Sequence, residues 1–188
     1  MPAADLRDRR RTKTRLAIQT EALRLFSDKG YAETTVEEIA DAAAISARTF
    51  FRYFPTKEDA VMWDEYDPEA PELLQARPRD EPVAESFRAV MREALGGLYR
   101  RDPERLLTRV RLASTVPELR ARFLEQQAEG VELVAAQLAG ADDLRVRVLG
   151  HAVIGAVTVA LDAWRADDGR NDLLALLDEA FAALRELR

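Results

Sequence analysis

From Leu16 to Leu184 apolar residues recur every three or four positions, and no segment alternates apolar with polar long enough to make a strand. This spacing restricts the chain to helices, each of which must cover one apolar stripe. The breaks between stripes carry cap and turn residues. Leu16, Ile18, Ala22, Leu23, Leu25 and Phe26 form the first stripe, on a helix expected from about Thr12 to Lys29 and closed by Gly30. Thr35 and Glu38 have capping-box spacing and open a short second helix over Val36 to about Ala43. Ser46 caps a third, Ala47 to about Tyr53, which Pro55 ends because the residue before a proline avoids helical geometry.

A fourth helix starts at Thr56, with Glu58 and Asp59 complementing the positive end of its dipole. Pro68, Pro71, Pro78 and Pro82 then break the chain between Asp67 and Pro82, leaving at most one helical turn near Glu72 to Ala76. A fifth helix over about Val83 to Arg101 carries Phe87, Val90, Met91, Leu95, Leu98 and Tyr99 on one stripe. Asp102 and Pro103 open a sixth helix, and the Thr115–Glu118 spacing predicts a cap for a seventh that ends at Gly140. Asp142 and Asp143 begin an eighth, whose centre VLGHAVIGAVTVAL is apolar all round, and Asn171 is expected to cap a ninth running to Leu187. The fold class is therefore all-α, with about nine helices. Residues 1–56 are expected to form a three-helix head with a basic arm, and residues 57–188 a six-helix body.

Composition narrows function. The 188 residues include no Cys, which excludes disulfides and thiolate sites and fits a reducing cytoplasm. No secretory h-region and no run of ~18 uncharged apolar residues is present, so neither export nor a membrane span is expected. The net charge of −6 conceals an asymmetry: residues 1–55 hold ten Lys/Arg against eight Asp/Glu, the remainder 18 against 26. Between Arg7 and Arg15, six cations oppose Asp8 alone, which points to a local polyanion contact or to a solvated tail.

Two short helices separated by about three residues, the second capped and basic, have the layout of a helix-turn-helix whose second helix enters a major groove. On Ser46–Phe54, Phe50 and Phe54 share a face to be buried, while Ala47, Arg48 and Arg52 fall on an outward one. Arginine forks there suit guanine edges or phosphate. Taken alone, this segment is better read as an ordinary surface helix with two arginines.

The stretch TTVEEIADAAAISARTFFRYFPTKED, with ALRLFSDKGY before it, resembles the DNA-binding motif of the TetR family over about Thr14 to Val61. The resemblance implies a transcriptional repressor that binds a palindromic double-stranded DNA operator as a homodimer and is released by a small effector. It implies DNA contacts by Thr35, Ser46, Arg48, Thr49, Tyr53 and Lys57. Arg52 joins them on its exposure. Two departures stand out: Ala44 where the family often has Gly, and Phe51 where it often has Tyr. The segment STVPELRARFLEQQAEGVELVAAQLA, with the helix ending in Trp164, resembles the C-terminal module of regulators related to the mycofactocin-cluster repressor, which would permit acyl-thioester ligands.

The resemblance places an effector cavity among the fourth to eighth helices, with Trp63, Phe87, Met91, Tyr99 and Phe123 as candidates for an apolar ligand. Each is equally at home in a core. A helix apolar all round needs cover on both sides, so the eighth and ninth helices are expected to form an isologous seam. Its candidates are Gly150, Ala152, Gly155, Ala156, Leu173, Leu177, Phe181 and Leu184. A single central core helix is the alternative. His151 stands alone, without the second ligand a metal needs or the partners of a catalytic triad, so no metal, cofactor or enzymatic role is expected. Gly96–Gly97 lies within an amphipathic helix and is expected to serve close packing or a kink. A helical adaptor that binds no ligand is the competing reading.

Overall fold

The structure, a computed structural model, describes residues 3–63, 70–78, 80–138 and 144–186. Among them are ten helices and no strands: α1 Ala3–Lys29, α2 Val36–Ala42, α3 Ala47–Tyr53, α4 Lys57–Met62, α5 Ala70–Gln75, α6 Val83–Arg101, α7 Pro103–Thr115, α8 Pro117–Leu138, α9 Leu144–Ala166 and α10 Leu173–Glu186. The all-α expectation holds, with one helix more than the nine expected. The addition is α5, which tolerates Pro71 because a proline in the first turn gives up an N–H that has no helical partner.

Three boundaries differ from the spacing argument. The first helix starts at Ala3 rather than near Thr12, since the intervening Ala, Asp, Leu and Arg include no breaker. Thr115 is the last residue of α7 and not a cap; Pro117 opens α8 instead, at the position where its fixed φ suits a helix start. Asp172 rather than Asn171 caps α10, its Oδ1 accepting from the Leu174 N–H at 3.0 Å. The expected ends at Gly140, at Asp142–Asp143 and at Leu187 lie outside the described residues.

Other caps form as read. Thr35 and Glu38 satisfy each other's backbone N–H groups in a capping box, as do Thr56 and Asp59. The Ser46 hydroxyl accepts from the Thr49 N–H at 3.1 Å, and the Asp102 carboxylate accepts from the Arg105 N–H at 3.0 Å.

The chain forms two compact units. The first holds residues 1–65 together with 112–122, and the second residues 66–111 and 123–188. The polypeptide therefore crosses between units inside α7 and again inside α8. In the first unit Ile18, Phe26, Ile39, Phe50, Val61 and Leu119 are buried. The second is built on Trp164, Leu98, Val153, Leu173, Leu177 and Phe181 of α6, α9 and α10. A methyl group at Gly96 would stand in ordinary contact with Leu174 of α10, at 3.5 Å, and would crowd only the Arg100 guanidinium, at 2.9 Å.

Helix α9 is long and apolar enough, by length and composition only, to cross a membrane, with mean hydropathy 1.6. Its Val146, Val153, Val157, Ala160, Leu161 and Trp164 are buried in the protein, as in a core helix.

Candidate nucleic-acid interface and effector body

Helix α3 has only seven residues, too few to persist alone, so its position depends on packing. Phe50 is fully buried and Phe54 nearly so, the two rings 6.0 Å apart, which turns the opposite side of the helix to solvent. Ser46, Arg48 and Arg52 are exposed there, and Thr49 and Tyr53 are half-buried beside them. Thr35 is exposed at the start of α2. The Arg52 guanidinium lies 5.3 Å from the Tyr53 ring centroid. Among the DNA-contact candidates, six present polar groups at this surface.

Lys57, the seventh, is differently employed. Its ammonium donates to the Tyr31 carbonyl at 2.8 Å and the Thr34 carbonyl at 3.0 Å, and sits 3.9 Å from the Tyr31 ring centroid. Burial lowers its pKa, partly offset by the charge of Glu118. Two of its three N–H bonds are thus spent inside the head, tying the start of α4 to the turn between α1 and α2.

The other end of α4 is held by a residue that its sequence context marks only weakly. Gln19 on α1 is 1% exposed, and its Nε2 donates to the carbonyls of Ala60 at 2.9 Å, Val61 at 3.2 Å and Trp63 at 2.8 Å. These belong to the carbonyls a helix leaves unsatisfied at its C-terminus. A single Gln inside an apolar stripe was the available signal. Asp59, besides its capping role, accepts from Arg122 Nε at 2.8 Å, which fixes the first turns of α8 to α4 within the same unit.

The effector candidates divide. Trp63 belongs to the first unit, where its ring packs against Phe54 at 6.2 Å and under the Arg15 guanidinium at 5.8 Å. Phe87 is buried in the core of the second unit, with Met91 and Tyr99 packed against it and Tyr99 edge-on to Trp164 at 5.7 Å. Phe123 is half-buried in the second unit and stands outside that cluster.

The seam candidates divide as well. Leu173, Leu177 and Phe181 are buried in the protomer's own core, Ala156 is buried, and Gly150 is covered by Val131, 2.9 Å from where a Cβ would stand. These five face inward. Ala152 and Leu184 are half-buried, and Gly155 is open. Around Gly155 the outer face of α9 carries Val148 at 58% and Val159 at 64% exposure, with His151 exposed between them. On a helix apolar all round, residue spacing does not distinguish the inner face from the outer one.

Residues 18–60 match the family described as bacterial regulatory proteins, tetR family, and residues 81–187 match the MftR C-terminal domain. The chain is also 30% identical to the HTH-type transcriptional regulator TcmR of Streptomyces glaucescens, over 96% of this chain and 86% of that protein. The chain belongs to the TetR family. MftR of Mycobacterium tuberculosis is 27% identical over 89% of this chain and 88% of its own length. Among solved structures, Thermus thermophilus FadR, a TetR-family repressor in complex with lauroyl-CoA, superposes with TM-score 0.53 at 26% identity, covering 92% of this chain and 93% of that one. FadR of Bacillus subtilis in complex with stearoyl-CoA gives TM-score 0.58 at 19% identity, covering 90% and 96%, which speaks to the fold.

This TetR-family member thus acts in transcription regulation, and its two departures from the family motif have structural expressions. Ala44 adopts φ +54°, the left-handed conformation that Gly would take at less cost. Phe51 is 53% exposed on α3, an apolar ring at the surface where a Tyr would offer a hydroxyl.

Proposed function

We propose that the protein is a ligand-responsive repressor, a binding protein rather than an enzyme. It grips a palindromic operator as a homodimer and releases it when an apolar acyl chain, delivered as a thioester, enters the second unit. The observation that carries the DNA half is α3 itself: a helix capped by Ser46, anchored by Phe50 and Phe54, with Arg48 and Arg52 turned outward. One such helix fills a major groove, and its leading residues reach base edges. Thr35, Ser46, Thr49 and Tyr53 orient the head on phosphate, and Lys57 adds its remaining N–H.

The domain division at residues 56 and 57 is part of the same proposal, with the first three helices reading DNA and the rest regulating them. The family resemblance to a lauroyl-CoA-bound repressor supports a long acyl thioester. Phe87, Met91 and Tyr99, gathered in one unit, would contact its chain. Trp63 and Phe123 act more indirectly in this reading: Trp63 supports the recognition helix through Phe54. Arg122 and Asp59 offer the coupling, since movement along α8 pulls on the capping box of α4. The seam of the dimer falls on the open side of α9, at Val148, Ala152, Gly155 and Val159. Such a regulator works in the cytoplasm, where the operator and acyl thioesters are.

Selection from random duplex DNA tests the reading. The expected result is an enriched palindrome with half-sites about one helical turn, ~34 Å, apart. Lauroyl-CoA should then weaken binding to it, and Phe87→Ala should blunt that release. Failure to enrich any palindrome would refute the DNA half, and indifference to acyl thioesters of every chain length would refute the effector.

A further inference from the structure

Trp164, near the end of α9, is the largest fully buried side chain among the described residues and belongs to the core of the second unit. Its Nε1–H is wholly buried and meets no acceptor among the described residues. A buried donor loses its water on folding and normally gains a partner in exchange. An apolar side chain would fill the same core without that cost, so an indole that donates to nothing in its own chain calls for a reason.

The ring cannot turn to find an acceptor. Tyr99 of α6 stands edge-on to it, the centroids 5.7 Å apart. The chain leaves α9 through Gly169, at φ +76°, whose N–H donates to the Trp164 carbonyl at 2.9 Å. A Cβ at Gly169 would lie 3.4 Å from Trp164 Cζ2, 3.5 Å from the Cε2 that bears Nε1, and 3.1 Å from Leu107 of α7, so the backbone itself closes over this edge of the indole. Asp167, one turn beyond Trp164, has a buried Oδ1 that also meets no donor among the described residues. It is tied into the turn instead: its Oδ2 accepts from the Asn171 N–H at 3.0 Å, and its carbonyl accepts from Arg170 Nε at 2.7 Å.

We propose that the Trp164 indole N–H is the polar anchor of the effector site, donating to the carbonyl oxygen of the acyl thioester. The inference rests on the effector reading and adds to it the group that fixes how deep the chain is seated. Phe87 belongs to the same buried cluster as Trp164, and Met91 and Tyr99 pack against that cluster, so a chain in contact with these three lies beside the indole. A carbonyl is costly to bring into an apolar core unless a donor meets it there. The indole supplies one that is already stripped of water and held in place. An apolar site with one fixed donor separates a carbonyl-bearing chain from a plain hydrocarbon.

The test compares lauroyl-CoA with S-dodecyl-CoA, in which a methylene replaces the carbonyl, on the wild-type chain and on Trp164→Phe. Titration calorimetry of the wild type should show lauroyl-CoA binding about tenfold or more tightly than the thioether. Trp164→Phe should bind the two alike. Because loss of so large a buried ring can unfold the core, the wild type carries a second readout. The chain has two tryptophans, hence two indole N–H signals in a nitrogen–proton correlation spectrum, and Trp63→Phe identifies which belongs to Trp164. That signal should move downfield with lauroyl-CoA and stay in place with S-dodecyl-CoA. Equal affinity of the wild type for the two compounds would overturn the anchor while leaving the acyl-thioester effector standing. A preference that survives in Trp164→Phe, or a Trp164 signal that lauroyl-CoA does not move, would overturn it by placing the carbonyl elsewhere. A signal already downfield in the ligand-free protein would overturn it by giving the N–H to water. If no acyl-CoA of any chain length binds, the effector reading and the anchor fall together.

Discussion

Replacing Gln19 by Met keeps the volume of a fully packed side chain and removes its two N–H donors. In the native head those donors serve three carbonyls, of Ala60, Val61 and Trp63, at 2.8 to 3.2 Å. Two full hydrogen bonds are the most one amide can give. A buried acceptor stripped of its donor costs ~1–3 kcal/mol, so the variant should lose about 2–4 kcal/mol. For a chain of this length each kcal/mol corresponds to ~2–4 °C, and a loss near the middle of that range lowers Tm by roughly 6–12 °C. The loss falls on α4, whose six residues cannot hold a helix unaided. Gln19→Glu provides the control on mechanism. At neutral pH it turns carboxylate oxygens toward carbonyl oxygens and should be less stable than the Met variant. The gap should narrow as pH falls, because the buried carboxyl, its pKa raised, regains a donor on protonation. Urea unfolding followed by Trp fluorescence measures both, with Trp63 in the affected region. A loss below about 1 kcal/mol for Gln19→Met, or a Glu variant insensitive to pH, would show that the end of α4 does not depend on this side chain.

Three other perturbations follow from single features. Ala44→Gly removes a left-handed strain of ~1–2 kcal/mol and loosens the unfolded chain by ~0.4–1 kcal/mol; a net gain of about 0.5–1 kcal/mol should appear as a higher Tm, and a lower one would contradict the φ of +54°. Glu38 is held at about 2, below its ordinary 4.5, first by the Lys29 ammonium and then by the Thr35 N–H and hydroxyl. Its contribution is therefore complete above about 4.5 and lost as pH falls toward about 2, and Glu38→Gln should flatten the acid limb of the unfolding curve there. Val159→Asp places a charge on the exposed face of α9 and should convert dimer to monomer by sedimentation without lowering the Tm of a dilute sample; a dimer that persists would move the seam elsewhere.

Local signals in this sequence were sufficient wherever the physics is local. Caps at Thr35, Ser46, Thr56 and Asp102 were legible because a side chain three residues from the N–H it accepts from needs no tertiary partner. The all-α class followed from periodicity, and the inward Phe50 and Phe54 with outward Arg48 and Arg52 followed from their spacing on one short helix. Thr115 does not cap α8 because Pro117 offers a competing helix start two residues on, and the arginine run that extends α1 has no apolar stripe to mark it.

What the tertiary structure alone decided concerns which of two equivalent faces is covered, and by what. Leu173, Leu177 and Phe181 could serve a core or a partner with the same spacing, and burial within the protomer settled them as core. On α9, apolar on every side, the sequence offers no contrast; packing of Val131 against Gly150 selected the inner face and left Val148 and Val159 outside. The reach of Gln19 to carbonyls some forty residues away, and the choice of Lys57 between phosphate and the carbonyls of Tyr31 and Thr34, depend on where other helices end. A residue type records what a side chain can bond to, and only the fold brings one partner within 3 Å and leaves the others beyond reach.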